Sequence, residues 1–185
     1  MGIQGKRLPR GGDPRFIEPP LITDVESIIK DAVDKNFLDA NGNLKLDDIA
    51  ADNNIEVFYE DLPSTESGYF KKVGDECIIG INKKHNRKRQ RFTFAHELGH
   101  FFLHRDKIDN VELHDEIFYR IENTSSIEYA ANEFAARLLM PESRIMEKIN
   151  EGISDLKDLA DIFDVSQEAM RYRVISLGYT IETNG

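Results

Sequence analysis

The chain has 185 residues, of which 40% are hydrophobic and 31% are charged, and its net charge is −10. This length suits one domain with at most a small appendage, and the composition is that of a folded protein rather than a disordered one. The acidic balance disfavours nucleic-acid binding across the whole surface. One cysteine, no secretory leader pattern and no apolar stretch of membrane-spanning length predict a cytoplasmic protein without an internal disulfide.

The first half of the chain predicts an arm, two helices and a small sheet. Residues 1–20 are basic and rich in glycine and proline, which favours a flexible arm over a binding arm. Thr23 and Glu26 form a capping box for the first helix, and a turn at Asn41-Gly42 separates it from a shorter helix at 46–53. Three predicted strands follow, and we expect them to form an antiparallel sheet: 55–59, 69–72 and 77–82.

The second half of the chain predicts helices only. Apolar spacing indicates helices at 87–105 and 127–139, then from Pro141 to about residue 150, and finally at 155–163 and 167–177. Ser154 and Ser166 are the expected N-caps of the last two helices. Gly178 is expected to end the last one.

The most informative segment is His96-Glu97-Leu98-Gly99-His100, inside the helix predicted at 87–105. Two histidines four residues apart lie on one helix face and can bind one metal ion at about 2.0–2.1 Å. Glu97 lies off that face, where its carboxylate can take a proton from a metal-bound water. The pattern predicts metal-assisted hydrolysis, although this pentapeptide also occurs by chance.

A catalytic zinc usually has a third protein ligand, and several downstream side chains are candidates for it: His104, Asp106, His114, Glu128 and Glu133. His104 lies about 12 Å along the helix axis from His96, too far to share an ion with it. We therefore expect His104 to support or pack against the site. Glu133 is the weaker carboxylate candidate, and a solvated side chain is expected there.

Glu128 is the stronger carboxylate candidate. It opens the next predicted helix, in which Ala131 and Ala135 allow close approach of another helix. Its competing interpretation is a capping box with Ser125, and the local pattern leaves the two interpretations near even. Asn132, one turn further on, could hydrogen-bond the Glu128 carboxylate and orient it.

Two blocks of this sequence together resemble the ImmA/IrrE family of metallopeptidases. The first block, residues 91–100, reads R-F-T-F-A-H-E-L-G-H. The second, residues 128–141, reads E-x-x-A-N-x-F-A-A-x-L-L-M-P and is the more discriminating of the two. The resemblance extends over residues 44–179, so it implies nothing about residues 1–40.

The resemblance implies a zinc site of the gluzincin kind, with one Zn²⁺ per chain. His96 and His100 match the ligand histidines, Glu97 the catalytic glutamate and Glu128 the third ligand. The ligand set alone does not fix the metal as zinc rather than manganese. A further donor should stabilise the tetrahedral oxyanion, and the sequence does not choose among four candidates: His114, Tyr119, Tyr129 and Arg137.

The expected fold class is α+β. We expect a small antiparallel sheet packed on a zincin-type helical core, followed by a C-terminal helical subdomain that resembles a helix-turn-helix. The expected boundaries are an arm at 1–20, a metallopeptidase domain at 21–150 and the helical subdomain at 151–185.

Two features raise the question of DNA binding. A run of basic residues precedes the motif: Lys83, Lys84, Arg87, Lys88, Arg89 and Arg91. Most such runs are simply solvated. The spacing of apolar residues in 156–178 resembles that of a helix-turn-helix. Gln167, Arg171 and Arg173 could donate hydrogen bonds to bases, but neighbouring aspartates would repel phosphate. Direct DNA binding is disfavoured, and a packing role for this segment is favoured.

The sequence therefore predicts a cytoplasmic, zinc-dependent endopeptidase with a protein substrate. Family members act on helix-turn-helix repressors, so the resemblance implies a transcriptional repressor as that substrate. The alternatives are a non-enzymatic regulator, or a toxin-antitoxin-like component, binding DNA or a partner through the C-terminal helices. Glu97 favours the enzyme, because a structural zinc site has four protein ligands and needs no general base.

Overall fold

The computed structural model of the protein describes residues 2–4, 25–105, 112–114 and 124–182. Its helices and strands confirm the α+β class. In chain order they are β1 (Gly2–Gln4), α1 (Val25–Asp34), α2 (Leu46–Asp52), β2 (Ile55–Glu60), β3 (Gly68–Val73), β4 (Glu76–Asn82), α3 (Arg87–His104), β5 (Glu112–His114), α4 (Thr124–Leu139), α5 (Glu142–Asn150), α6 (Leu156–Ile162), α7 (Gln167–Ser176) and β6 (Thr180–Glu182).

The main sheet is mixed, with the strand order β2-β4-β3-β5. β4 runs antiparallel to β3, as expected, but parallel to β2, so the prediction of a wholly antiparallel sheet was wrong. The physical reason is that residues 61–67 do not form a hairpin turn between β2 and β3. They carry the chain past the place that β4 fills, and β4 then inserts between its two predecessors. β5 adds antiparallel to the outer edge of β3.

Helix α3 is the central element that carries the motif. Its N-cap is Asn86, whose side-chain oxygen accepts a hydrogen bond from the Arg89 amide at 3.0 Å. The first turn is charged and largely exposed, but every residue from Thr93 to Phe101 is buried. On the sheet side Phe101 meets Phe70 edge to face, with ring centroids 6.1 Å apart. The motif therefore lies in the interior of the protein.

Helix α4 packs against the opposite side of α3. Four of its residues are fully buried: Ala131, Phe134, Ala135 and Leu138. The two helices approach so closely that a Cβ on Gly99 would lie 3.1 Å from the Cα of Ala131. A glycine at this point of α3 is what permits the short distance between the helices.

The C-terminal helices share one hydrophobic core with α3 and α4. Ser166 caps α7 as predicted, accepting a hydrogen bond from the Ala169 amide. The predicted cap of α6 was wrong: the N-cap is Asp155 rather than Ser154, and its carboxylate accepts from the amides of residues 157 and 158. Aspartate and serine are about equally good N-caps, so the local pattern could not separate these neighbours. Gly178 follows α7 with φ +87°, as its predicted role requires.

At the N-terminal side, the turn at Asn41-Gly42 is confirmed: the Gly42 amide donates to the Asp39 carbonyl at 3.0 Å, with φ +75° at Gly42. Strand β1 pairs with β6, next to the end of α7. Most of the predicted arm, and Thr23 of the predicted capping box, lie outside the described residues. In the described part of the chain, no helix has the length and apolar character that crossing a bilayer requires.

Candidate metal centre

The motif histidines and Glu128 converge between α3 and α4. The Nε2 atoms of His96 and His100 lie 3.0 Å apart. One carboxylate oxygen of Glu128 is 3.1 Å from Nε2 of His96, and the other is 3.3 Å from Nε2 of His100. The three side chains thus present one ligand atom each within 4.8 Å of one another.

The spacing of these atoms fits a metal ion. Ligands bonded to a tetrahedral zinc at about 2.0–2.2 Å lie about 3.3–3.5 Å from one another, close to the distances seen here. Oε1 of Glu128 is buried, and its 3.3 Å contact with Nε2 of His100 lacks the geometry of a hydrogen bond. A buried carboxylate oxygen normally has a well-directed partner, and a cation among the three side chains would supply it.

The charge on Glu128 also suits a ligand. Burial alone would raise the pKa of this carboxyl, but contact with the His100 and His96 side chains outweighs burial and lowers the pKa to about 2. Glu128 is therefore ionised at neutral pH. The competing capping-box interpretation does not hold, because α4 begins at Thr124 and Ser125 is already helical.

Each motif histidine has a partner for its second ring nitrogen. Nδ1 of His96 lies 3.0 Å from the amide oxygen of Asn132, which can only accept a hydrogen bond. Asn132 thus contacts a histidine, whereas the sequence led us to expect that it would orient Glu128. Nδ1 of His100 lies 3.3 Å from Nδ1 of His104, which is itself buried. His104 thus contacts His100 from one turn further along α3.

Glu97 points toward the sheet side of α3. It is 2% exposed and lies beside Gly68 at the start of β3. A Cβ on Gly68 would come within 3.3 Å of Oε1 of Glu97 and 2.5 Å of Cγ2 of Thr93. Sequence reasoning missed Gly68, whose only local signal was its position at the edge of a predicted strand.

None of the remaining candidates contributes a ligand atom to the three-residue cluster in the described part of the structure. Arg137 is nine residues after Glu128, about 13 Å along α4, and its guanidinium is 3.6 Å from Glu26 of α1. Tyr129 is 58% exposed beside Glu128. Glu133 is half-buried and is not among the clustered ligands. Asp106, Tyr119 and the side chain of His114 lie outside the described part of the structure.

The basic run ahead of the motif forms surface ion pairs with acidic side chains. Lys83 contacts Asp61 at 2.7 Å, near the end of β2. Two further pairs join the run to the segment that resembles a helix-turn-helix: Lys88 with Asp161 at 2.7 Å, and Arg87 with Asp164 at 2.9 Å. The aspartates that would repel phosphate thus serve as partners for these cations within the chain.

Arg173 is likewise not available to read DNA. It is 6% exposed, and its Nε donates a hydrogen bond to the Met140 carbonyl at 3.0 Å. The residue ties α7 to the end of α4. Arg173 therefore cannot act as one of the three donors that a base-reading helix would need here, and its burial agrees with the packing role favoured for this segment.

Comparison with known proteins decides the family. Residues 50–174, more than half of the chain, match the peptidase family described as the IrrE N-terminal-like domain. The chain belongs to this family. The matched region contains all of the clustered residues, so the resemblance to ImmA/IrrE metallopeptidases is confirmed.

Two relatives illustrate the relationship. Metallopeptidase ImmA of Bacillus subtilis is 28% identical over 114 residues, which are 58% of this chain and 60% of the relative. Radiation response metalloprotease IrrE of Deinococcus radiodurans is 35% identical over 99 residues, which are 51% of this chain and 30% of the relative. The match therefore spans less than two thirds of either relative's length. The ImmA/IrrE family implies a metal, and the cluster on α3 and α4 fits one.

Proposed function

We propose that this member of the ImmA/IrrE family is a zinc-dependent endopeptidase, with His96, His100 and Glu128 as the metal ligands. The observation that carries the proposal is the convergence of one ligand atom from each of these side chains within 4.8 Å. An N, N, O donor set from three residues is the arrangement of catalytic zinc, which keeps one position open, whereas structural zinc is enclosed by four protein ligands.

The mechanism follows from the placement of the side chains. Zinc bound here would polarise the peptide carbonyl and lower the pKa of a water toward neutrality. Glu97 takes the proton from the attacking water and passes it to the leaving amine. Because Glu97 is 2% exposed, it acts in a place that bulk water barely reaches. The donor for the oxyanion stays a prediction among His114, Tyr119 and Tyr129, because Arg137 lies about 13 Å along α4 from Glu128 and contacts Glu26.

The substrate we propose is a helix-turn-helix transcriptional repressor in the cytoplasm. The family resemblance supports a regulatory substrate, and the relative from Deinococcus radiodurans is by its name a metalloprotease of the radiation response. The rival proposal of a DNA-binding regulator is weakened, because Arg173, one of the three donors named on α7, is buried, and because Arg87 and Lys88 of the basic run pair with aspartates.

Metal content tests the ligand assignment. Elemental analysis of wild type should give about one zinc per chain, and Glu128→Ala should lose most of it. Glu133→Ala is the matched control, because it removes the same group from the same helix outside the cluster. Zinc retained equally in wild type and Glu128→Ala would refute the assignment, and absence of zinc from supplemented wild type would refute the zinc site altogether.

Cleavage tests the reaction. A purified helix-turn-helix repressor encoded next to this gene should be cut by the zinc-loaded wild type, with the products identified by mass spectrometry. Glu97→Gln should keep its zinc and lose cleavage, because it removes the proton acceptor and leaves the ligands in place. Repressor that is inactivated equally by Glu97→Gln, without cleavage, would instead support sequestration.

A further inference from the structure

A third histidine extends the metal centre along α3. His104 lies one turn beyond His100, and it is 7% exposed. The two rings are tilted by 46° with centroids 5.4 Å apart, and their Nδ1 atoms lie 3.3 Å from each other. The contact is therefore made between ring nitrogens. It lies on the side of the His100 ring opposite the nitrogen that faces His96 and Glu128.

The position of one proton decides what this contact does. Two neutral imidazole nitrogens in contact need one proton between them, because one must donate and the other accept. If His104 donated, His100 would carry its own proton on Nε2, and that atom could not bind a metal. If His100 donates from Nδ1, its Nε2 keeps a lone pair. This lone pair faces Nε2 of His96 at 3.0 Å and Oε1 of Glu128 at 3.3 Å, so a cation rather than a proton must lie between these three atoms.

We propose that His104 is a positioning residue of the metal centre, accepting the Nδ1–H of His100 and so fixing the tautomer and ring orientation in which Nε2 of His100 binds zinc. This inference rests on the proposed function. Asn132 has the equivalent role for His96, through an amide oxygen on α4. The two ligand histidines are thus oriented by different elements, one by its own helix and one by the neighbouring helix.

Replacement of His104 by leucine and by asparagine separates hydrogen bonding from packing. The two replacements have nearly the same shape, but only asparagine offers an oxygen close to the former position of Nδ1. Loss of a group that orients a metal ligand typically weakens metal affinity by about 10–100-fold. We expect a loss of this size in His104→Leu and a zinc Kd within about threefold of wild type in His104→Asn.

Two measurements provide the readout, and neither depends on proteolysis. Competition with a zinc chelator gives the Kd of each variant, and thermal unfolding of the metal-free proteins shows that they are folded. Imidazole ¹⁵N NMR of the zinc-loaded proteins reports the tautomer. His100 should show a protonated Nδ1 and a metal-bound Nε2 in wild type and in His104→Asn.

The outcomes distinguish this inference from the proposed function. Equal zinc affinity in wild type and His104→Leu, or equal losses in the leucine and asparagine variants, would overturn the positioning role alone. Zinc bound through Nδ1 of His100 would overturn it as well. A wild-type protein that binds no zinc would overturn the proposed function and this inference together.

Discussion

Replacement of Gly99 by alanine should weaken zinc binding more than it weakens the fold. The added Cβ would lie 3.1 Å from the Cα of Ala131, and 3.2 Å from both the Ala131 carbonyl oxygen and Cδ1 of Phe134. Ordinary van der Waals contact begins at 3.4 Å. Helix α4 must therefore retreat by about 0.3 Å, and Glu128, one turn before Ala131, moves with it away from the two histidines.

The expected magnitudes differ for metal and fold. Metal–ligand distances tolerate shifts of about 0.2 Å, so we expect the zinc Kd to rise about tenfold. In the metal-free protein alanine gains about 1 kcal/mol of helix propensity over glycine, while overpacking costs about 1–3 kcal/mol. The net loss in the free energy of unfolding should therefore be no more than about 2 kcal/mol.

Competition with a chelator measures the zinc Kd. Urea unfolding of the metal-free protein measures the free energy of unfolding. Gly99→Ser adds one more atom and should give larger losses of the same kind. Adding Ala131→Gly should not restore zinc affinity, because the contacted atoms of Ala131 belong to its backbone. A Gly99→Ala protein that is about 1 kcal/mol more stable and binds zinc like wild type would refute the reasoning.

Two further predictions concern the glutamate and the acidic surface. Gly68→Ala places a Cβ 2.5 Å from Cγ2 of Thr93, 2.7 Å from the Gly80 carbonyl oxygen of β4 and 3.3 Å from Oε1 of Glu97. The start of β3 must therefore shift beside Glu97, so cleavage should fall while zinc content is kept. Unchanged cleavage would contradict this. The pKa of Asp161 is lowered to about 2 by hydrogen bonds from Lys157 and Lys88. Because the pKa of Asp161 is lower in the folded protein than the ordinary value of 3.8, its ionised side chain stabilises the fold at pH values above about 4. This stabilisation should be lost as the pH falls from about 4 to about 2. Urea titrations should therefore show that the difference in the free energy of unfolding between wild type and Asp161→Asn shrinks over this range. A difference that does not change with pH would contradict it.

The helices could be predicted because their signals are local. Apolar spacing placed α3 and α7 within one residue at each end, and Ser166 and Gly178 marked the limits of α7 through their own capping chemistry. The order of the sheet could not be predicted in the same way. Strand β4 is the direct neighbour of β2 in the sheet, although β3 lies between them in the sequence. No short sequence pattern indicates whether the connection after a strand forms a hairpin or passes over to a more distant position.

Electrostatic reasoning disfavoured DNA binding, but it missed what the charges do. The sequence shows cations near residue 88 and aspartates near residue 161, separated by more than seventy residues. In the fold they meet as pairs such as Lys88 with Asp161. Exposed pairs of this kind contribute little to stability, about 0–1 kcal/mol each. They do, however, occupy the cations that would otherwise attract phosphate.

The metal centre shows why two distant blocks of sequence are needed to specify it. The first block supplies two ligands, and the second supplies Glu128. The blocks also fit each other at positions that bind no metal: Gly99 of the first lies against Ala131 of the second, and His96 of the first meets Asn132 of the second. A histidine pair on an isolated helix has none of these contacts. The small residues and the amide of the second block therefore help to specify the site although they bind no metal, since Ala131 sets how closely α4 approaches and Asn132 accepts a hydrogen bond from Nδ1–H of His96.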